Sequence, residues 1–407
     1  MKKTVLKQYA NLIATVGANV QKDQEVLVSA GLDQPEFVGY VVEACYKAGA
    51  KRVRVEWTHD PITKLHAKYQ KQRVLETVEE WEKAKLQNMV DTLPCRIFLE
   101  SSDPDALKGV PQPKYTKAMT ARSKVIKPYR DAIDNRHQWC IAAVPGEAWA
   151  KKLFPKLSKK QGVEKLWEAI LFTSRADADP VAAWEAHNAD LKTRCEYLNA
   201  KGIRTLVYKS SNGTDLKVGL IPEAQFLAGS EATLQGVVFQ PNIPSEEVFT
   251  TPKKGEAEGI VYSTKPLSFQ GQLIENFSIR FHEGKAVEVK AEKNQALLEH
   301  MIAMDENAGC LGECAFVPKE SPINQSGITF FNTLFDENAA CHLALGMGFD
   351  NCIRDYGKYT KEEIGALGVN DSVIHVDFMI GSDDLTITGL TEDGTEVAIF
   401  QNGTWAF

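Results

Sequence analysis

The first half of the chain alternates short apolar runs with segments of helical periodicity. Apolar runs predict strands at residues 25–31, 52–57, 95–100 and 139–144. Helical spacing predicts helices at residues 5–16, 37–48, 61–68, 71–85, 162–173 and 181–200. Strands that alternate with helices favour a parallel sheet covered on both faces. No glycine-rich phosphate loop follows any of these strands in the sequence, so the pattern does not indicate a nucleotide site.

After residue 200 the pattern changes to short strands separated by Gly, Asn and Pro. Hairpins are predicted over Glu283-Gly284 and over Asp393-Gly394. Strands are predicted at residues 203–208, 215–219, 236–239, 259–265, 278–283, 285–291, 385–390 and 396–401, and helices at residues 294–307 and 336–345. We therefore expect an α/β amino-terminal domain over residues 1–200 and a strand-rich α+β domain over residues 201–407.

Composition and charge are those of an ordinary globular protein. Of the 407 residues, 43% are hydrophobic and 25% are charged, and the net charge is -7. Acidic and basic residues are mixed along the chain, which favours neither a nucleic acid nor a membrane surface as a partner. Polar residues interrupt the first apolar stretch, whereas the apolar region of a signal peptide is continuous. We therefore expect a cytoplasmic protein.

The run from Ile374 to Gly381 carries the clearest chemical signal. It predicts a strand in which Val376, Phe378 and Ile380 share one face, which places His375 and Asp377 together on the other face. An imidazole beside a carboxylate on a rigid strand is half of a divalent-metal site. The alternative is a structural His–Asp pair at the end of a strand.

Further candidate ligands precede this strand. Glu246 and Glu247 follow a proline turn, and adjacent strand residues point in opposite directions, so we expect at most one of them to be a ligand. Glu313 follows a glycine and could instead cap a loop. Glu337 and His342 are five residues apart, roughly 140° around a helix, so they meet only if Glu337 lies at a frayed helix start.

The mixture of carboxylates and imidazoles suits Zn²⁺, Co²⁺ or Mn²⁺. Two such cations about 4 Å apart need a bridging carboxylate and several further ligands, and together they activate a water molecule for hydrolysis. Among the eight cysteines, Cys310, Cys314 and Cys341 could form a structural zinc site with His342. No second cysteine pair supports that alternative, and we expect the cysteines to be reduced and mostly buried.

Four segments in this order and spacing resemble the thermophilic metallo-aminopeptidase family: residues 241–252, 311–313, 332–342 and 375–381. The resemblance covers essentially the whole chain. It implies a homodimer whose amino-terminal domain covers a two-metal site, and an enzyme that releases amino-terminal residues from peptides with a free N-terminus. By the family pattern the ligands would be Glu247, Glu313, Glu337, His342, His375 and Asp377.

The resemblance also implies a mechanism. Glu313 would be the likeliest bridge between two metal ions per subunit, and the water between the ions would attack the scissile carbonyl. A carboxylate would take the proton of that water and pass it to the leaving amine. Glu313 and Glu246 are the candidates for this base, and the sequence leaves the choice open.

One position departs from the family pattern. Family members carry a tyrosine seven residues after the histidine at position 342, placed to donate a hydrogen bond to the oxyanion, and here that residue is Phe349. Phenylalanine cannot donate, and removing one such donor costs roughly a hundred- to a thousandfold in kcat. Tyr356 is a nearby candidate for a substitute. Two alternatives therefore stay open, a metallo-amidase and a weak or non-catalytic metal- or peptide-binding protein.

Overall fold

A computed structural model describes residues 1–101, 103–177, 179–270 and 272–407. The chain divides into two compact units. The first unit comprises Met1–His187, Ser230–Ser245 and Gln270–Gln272. The second comprises Asn188–Gly229, Glu246–Phe269 and Leu273–Phe407. A parallel sheet with flanking helices and strand-rich antiparallel sheets confirm the predicted mixed fold class.

Most of the helices lie in the first unit. They are α1 (Lys3–Leu12), α2 (Pro35–Lys47), α3 (Asp60–Tyr69), α4 (Gln72–Glu76), α5 (Glu80–Thr92), α6 (Gln112–Ile133), α7 (Glu147–Leu153), α8 (Lys159–Thr173), α9 (Pro180–Asn199), α10 (Gln295–Ile302), α11 (Pro322–Gln325), α12 (Thr333–Asp336) and α13 (Lys361–Leu367). A π-helical turn at Ile13–Gly17 continues α1, and 3-10 turns occur at Glu337–Ala339, Asp350–Cys352 and Tyr356–Lys358. Within the described ranges, no helix is long and apolar enough to cross a membrane.

The strands are shorter and lie mainly in the second unit. They are β1 (Glu25–Gly31), β2 (Arg52–Thr58), β3 (Cys95–Glu100), β4 (Trp139–Ala143), β5 (Ile203–Lys209), β6 (Asp215–Leu220), β7 (Leu227–Ala228), β8 (Glu231–Ala232), β9 (Val238–Phe239), β10 (Asn242–Ile243), β11 (Val248–Thr250), β12 (Pro252–Tyr262), β13 (Leu267–Phe269), β14 (Gln272–His282), β15 (Lys285–Lys293), β16 (Leu311–Phe316), β17 (His342–Gly346), β18 (His375–Met379), β19 (Thr386–Thr391), β20 (Glu396–Gln401) and β21 (Thr404–Trp405).

The first unit is built on a parallel sheet with strand order β10-β4-β3-β1-β2. All four of its pairings are parallel. Its inner strand β1, which lies between β3 and β2, buries Val26, Leu27 and Val28 in succession, because helices cover both faces of such a sheet. The continuous apolar runs of the sequence have the same origin, which is why they predicted these strands.

The second unit contains two antiparallel sheets. One has the order β18-β17-β16-β11-β7, and the other runs β13-β14-β12-β6-β5-β19-β20-β21 with β15 paired to β14. The predicted hairpins between β14 and β15 and between β19 and β20 are present. Side chains from both sheets form one buried core, which includes Leu206, Ile279, Phe316, Leu343 and Phe378.

Several secondary-structure elements of the second unit differ from the predictions. The predicted helix over residues 336–345 is instead the end of α12, a 3-10 turn and the strand β17. The predicted helix at residues 294–307 ends at Ile302. The strand β16 was not predicted, because its sequence from Leu311 to Phe316 is neither a continuous apolar run nor a regular alternation of apolar and polar residues. Pairing with neighbouring strands overrides the local helical spacing at β17.

Gly346 provides a stability test of this sheet. It ends β17 with φ at 100°, and a Cβ atom there would lie 2.1 Å from the carbonyl oxygen of Ile374. We expect Gly346→Ala to lower the urea midpoint of the cation-free protein, because the backbone conformation alone costs about 1–3 kcal/mol and the clash adds to it. Gly365→Ala is the control. It lies inside α13 with open space around it, and should raise stability by about 0.5–1 kcal/mol. Equal effects of the two substitutions would contradict the described strand geometry.

Candidate metal centre

The candidate ligands lie on one face of the sheet that contains β16, β17 and β18. Glu313 pairs with Ala344, and Ala344 pairs with Asp377, so the two carboxylates flank a small alanine on the middle strand. On the opposite face, Cys314 pairs with Leu343 and Leu343 with Phe378, and these side chains belong to the core. Strand alternation therefore separates a polar face that carries the ligands from an apolar face that anchors the strands.

The two histidines lie on the same polar face. His342 begins β17 opposite Ala315, and His375 begins β18 opposite Gly346. The small residues at these paired positions leave room for the imidazole rings. The predicted helical location of His342 was therefore wrong. Because His342 lies on a strand and not on a helix, the angle of roughly 140° around a helix no longer separates it from Glu337.

Glu247 joins the site from the start of a fourth strand of the same sheet. It immediately precedes β11, which pairs with β16 through Val248 and Phe316. Val248 and Phe316 belong to the core, so the alternation places Glu247 on the face of the ligands. Glu246 and Glu247 are both buried, so neither carboxylate lies in a solvated turn. The Glu246 N–H donates to Asn338 Oδ1 at 2.7 Å.

The ligand atoms form two groups that share Glu313. Glu247, Glu313 and His342 form one group, and Glu313, His375 and Asp377 form the other, with the ligand atoms of each group within 4.8 Å of one another. His342 Nε2 lies 3.1 Å from Glu247 Oε2. His375 Nε2 lies 3.2 Å from both Glu313 Oε2 and Asp377 Oδ1. Glu313 is thus the candidate ligand common to both groups.

Backbone carbonyl groups orient both histidines. His342 Nδ1 lies 3.2 Å from the Ala340 oxygen, and His375 Nδ1 lies 2.7 Å from the Met347 oxygen. A carbonyl oxygen only accepts, so Nδ1 carries the proton in each ring, and in the neutral form Nε2 presents its lone pair to the site. Metal-binding histidines are held in this way. The sequence contains no signal for these carbonyl groups, because any residue supplies one.

Burial and mutual charge shift the pKa values of these groups strongly. Burial, with the charges of Glu247 and Asp377, raises the pKa of Glu313 to about 7, although His375 opposes the shift. Burial alone would lower the pKa of His342, but Glu247 raises it to about 9. Burial would raise the pKa of Asp377, but the charge of His375 outweighs it and holds the value at about 2. The carboxylates therefore favour a positive charge in the space between them, either on a histidine ring or on a cation.

Glu337 lies near the site but outside the two close groups. Burial raises the pKa of its carboxyl well above the usual value, and the charges of Asp377, Glu247 and Glu313 add to this rise. Its Oε1 accepts a hydrogen bond from Asn338 Nδ2 at 3.3 Å. The structure thus brings five of the six predicted ligands together and places the sixth within electrostatic reach.

The donor set fits divalent cations that prefer oxygen and nitrogen. Asp377 Oδ1 is buried and accepts no well-aligned hydrogen bond from any described residue, which is costly unless a cation or other donor meets it. Among the described residues, the groups of ligand atoms close enough to hold an ion include no cysteine. Burial raises the pKa of the Cys314 and Cys341 thiols to about 12, which disfavours thiolates. The structure therefore favours a site of carboxylates and imidazoles over the alternative of a structural zinc–thiolate site.

Phe349 lies beside the candidate site. Its ring centroid is 4.8 Å from that of His375 and 5.3 Å from that of Phe249. Tyr356, the suggested substitute for the family tyrosine, packs against a separate apolar cluster around Ile353 and Ile364. The position next to the histidine is therefore occupied by an apolar ring.

Comparison with known proteins finds similarity over almost the whole chain. Residues 2–405 match the family model described as Thermophilic metalloprotease (M29). The chain is 39% identical to Aminopeptidase AmpS of Bacillus subtilis over 404 residues, which cover 99% of this chain and 98% of that protein. It is 38% identical to Aminopeptidase T of Thermus thermophilus over 405 residues, with the same coverage.

A solved structure extends the comparison to the fold. The structure described as wild-type AmpT from Thermus thermophilus matches with a TM-score of 0.90 and 36% sequence identity, and the match covers 100% of both chains. The family match, the sequence identities and the structural match all extend over almost the whole chain. The chain belongs to the M29 family of thermophilic metalloproteases.

Proposed function

We propose that this protein is an aminopeptidase that uses two divalent cations bridged by Glu313. The observation that carries the proposal is the position of Glu313 in both groups of ligand atoms. His342 and Glu247 would complete one cation site, and His375 and Asp377 the other. Glu337 would be a further ligand to one of them. Zn²⁺, Co²⁺ and Mn²⁺ all suit such carboxylate and imidazole ligands.

The residues of the chain prepare the reaction in three ways. Carbonyl groups fix the histidine rings, and burial removes competing water from the carboxylates. Bound cations would supply a water of lowered pKa and polarise the scissile carbonyl. A carboxylate must then accept the proton of the water and return it to the leaving amine, and Glu313 and Glu246 are the two buried candidates.

Other features of the protein stay predictions from the sequence. These are the domain boundary at residue 200, the homodimer, the cytoplasmic location and the metal that the protein uses in the cell. The relatives that are named aminopeptidases support peptides with a free N-terminus as substrates. Phe349 is the one observation that favours a weaker or altered activity, because it cannot donate a hydrogen bond to an oxyanion.

Replacing the shared carboxylate tests the proposed bridge. Glu313→Gln keeps the size of the side chain but removes the negative charge that both cation sites use. We expect cation uptake to fall, and kcat/KM on aminoacyl-arylamides to fall by at least about a hundredfold. Glu288→Gln, which removes an exposed partner of Arg280 on a hairpin, is the matched control and should behave as the unaltered protein. Undiminished uptake and turnover in Glu313→Gln would refute the bridge.

The need for a free amine separates an aminopeptidase from an amidase. We expect the cation-loaded protein to hydrolyse leucyl- and alanyl-arylamides, and to leave the same compounds intact once their α-amine is acetylated. The comparison uses initial rates at matched concentrations. Hydrolysis of the acetylated compounds at comparable rates would show an amidase instead. Cation uptake without turnover of either compound would favour the non-catalytic alternative.

Removal of cations tests the electrostatic role of the site. The buried carboxylates repel one another, so the folded protein should gain stability from divalent cations. Ligand linkage predicts about 2.7 kcal/mol at a free cation concentration about one hundred times Kd. Scanning calorimetry should therefore show a lower Tm after chelation, and recovery when Zn²⁺, Co²⁺ or Mn²⁺ is returned. An unchanged Tm under saturating cation would argue against a buried cation site.

A further inference from the structure

The side chain of Asn338 lies between two segments that carry candidate ligands. It is fully buried in the 3-10 turn at Glu337–Ala339. Its Oδ1 accepts the Glu246 N–H at 2.7 Å. Its Nδ2 donates two hydrogen bonds, one to the Leu334 carbonyl oxygen at 2.9 Å and one to Glu337 Oε1 at 3.3 Å. One planar amide therefore contacts the backbone next to Glu247 and the carboxylate of Glu337.

The turn that carries Asn338 is itself held in place. The Ser321 hydroxyl donates to the Asn338 carbonyl oxygen at 2.6 Å. The Asp336 carboxylate, two residues earlier, accepts the N–H groups of Phe330 at 2.9 Å and of Asn332 at 3.1 Å. The backbone on either side of Asn338 is thus fixed by hydrogen bonds, so that the side-chain amide has a defined orientation.

An amide has a chemical advantage at this position. The carboxylate of Glu337 faces three other acidic groups, and burial further disfavours its charged form. A lysine or arginine could hold this carboxylate, but its positive charge would compete with a metal ion for the same oxygens. A neutral amide donates a hydrogen bond without adding charge, and its other edge accepts one. Asparagine therefore orients the carboxylate and leaves its charge available to a cation.

We infer that Asn338 is a positioning residue, which fixes the Glu337 carboxylate and the Glu246–Glu247 backbone in the arrangement that binds cations. The inference rests on the proposed function, because it takes Glu247 and Glu337 as ligands. Asn338 itself touches neither substrate nor metal in this role. It acts through the two segments that it joins.

The test measures Zn²⁺ affinity by competition with a chromophoric chelator, so that it does not depend on turnover. Loss of a group that orients metal ligands typically weakens metal binding about ten- to a hundredfold. We expect a loss of this size in Asn338→Ala. We also expect the double variant Asn338→Ala/Glu337→Gln to lose less affinity than the product of the two single losses, because both substitutions disrupt the same interaction.

Asn199 provides a matched control within the same unit. Its amide also bridges the backbone, since Nδ2 donates to the Phe226 carbonyl oxygen at 2.9 Å and Oδ1 accepts the Phe226 N–H at 2.8 Å, but neither contact is to an acidic residue. Asn199→Ala should lower the urea midpoint and leave Zn²⁺ affinity unchanged. If Asn338→Ala does not fold, Asn338→Ser, which leaves a smaller void, is measured in its place.

The outcomes separate the inference from the function on which it rests. Zn²⁺ uptake by the unaltered protein with undiminished affinity in the Asn338 variant would overturn the positioning role alone, and would leave a purely structural asparagine. Failure of the unaltered protein to take up Zn²⁺, Co²⁺ or Mn²⁺ in the same assay would overturn the proposed function and the positioning role together. Weakened affinity in the Asn338 variant, with no such loss in Asn199→Ala, supports both.

Discussion

The burial of several carboxylates against two imidazoles is the constraint on which the second unit depends. Carboxylates removed from water lose favourable hydration, and those packed together also repel one another. The structure shows the consequence at Glu313 and Glu337, whose pKa values rise, and at the two histidines, whose pKa values rise as they balance this charge. Such a cluster persists only if positive charge enters it and if the rest of the unit contributes enough apolar packing to hold the strands in place.

The two faces of the sheet serve these two requirements separately: one face gathers the candidate ligands for a cation, and the other packs into the core. The same strands that carry Glu313, His342 and Asp377 on one face place Cys314, Leu343 and Phe378 in the core on the other. Apolar burial thereby fixes the strands, and the strand register fixes the distances between the ligands. A metal-dependent hydrolase needs such rigidity, since metal ligands must be placed accurately before the substrate arrives.

The sequence predicted those parts of the fold and site that depend on local pattern. The alternation around His375 and Asp377 is local, and so is the apolar run of β1. The sharing of Glu313 is not local, because it depends on the pairing of β16 with β17 and of β17 with β18, which join segments far apart in the chain. The segment before His342 has helical spacing, and only its pairing with two neighbours makes it a strand. Asn338 shows the same limit, since nothing in its sequence context indicates that its amide reaches Glu246.

Phe349 lies on an element distinct from the strands that carry the candidate ligands. The Phe349 N–H donates a hydrogen bond to Thr251 Oγ1, with 3.3 Å between the nitrogen and the oxygen. The Thr251 hydroxyl in turn donates to the Gly312 carbonyl oxygen at 2.9 Å. The backbone at position 349 is therefore tied to the strand next to Glu313 by bonds that do not involve the aromatic side chain. A phenylalanine at this position, where the sequence resemblance implies a tyrosine, changes the group presented beside His375 without requiring the candidate ligands to move. Phe349 and the candidate ligands therefore lie on separate elements, so that the group presented beside His375 can change while the strands that carry the candidate ligands keep their register.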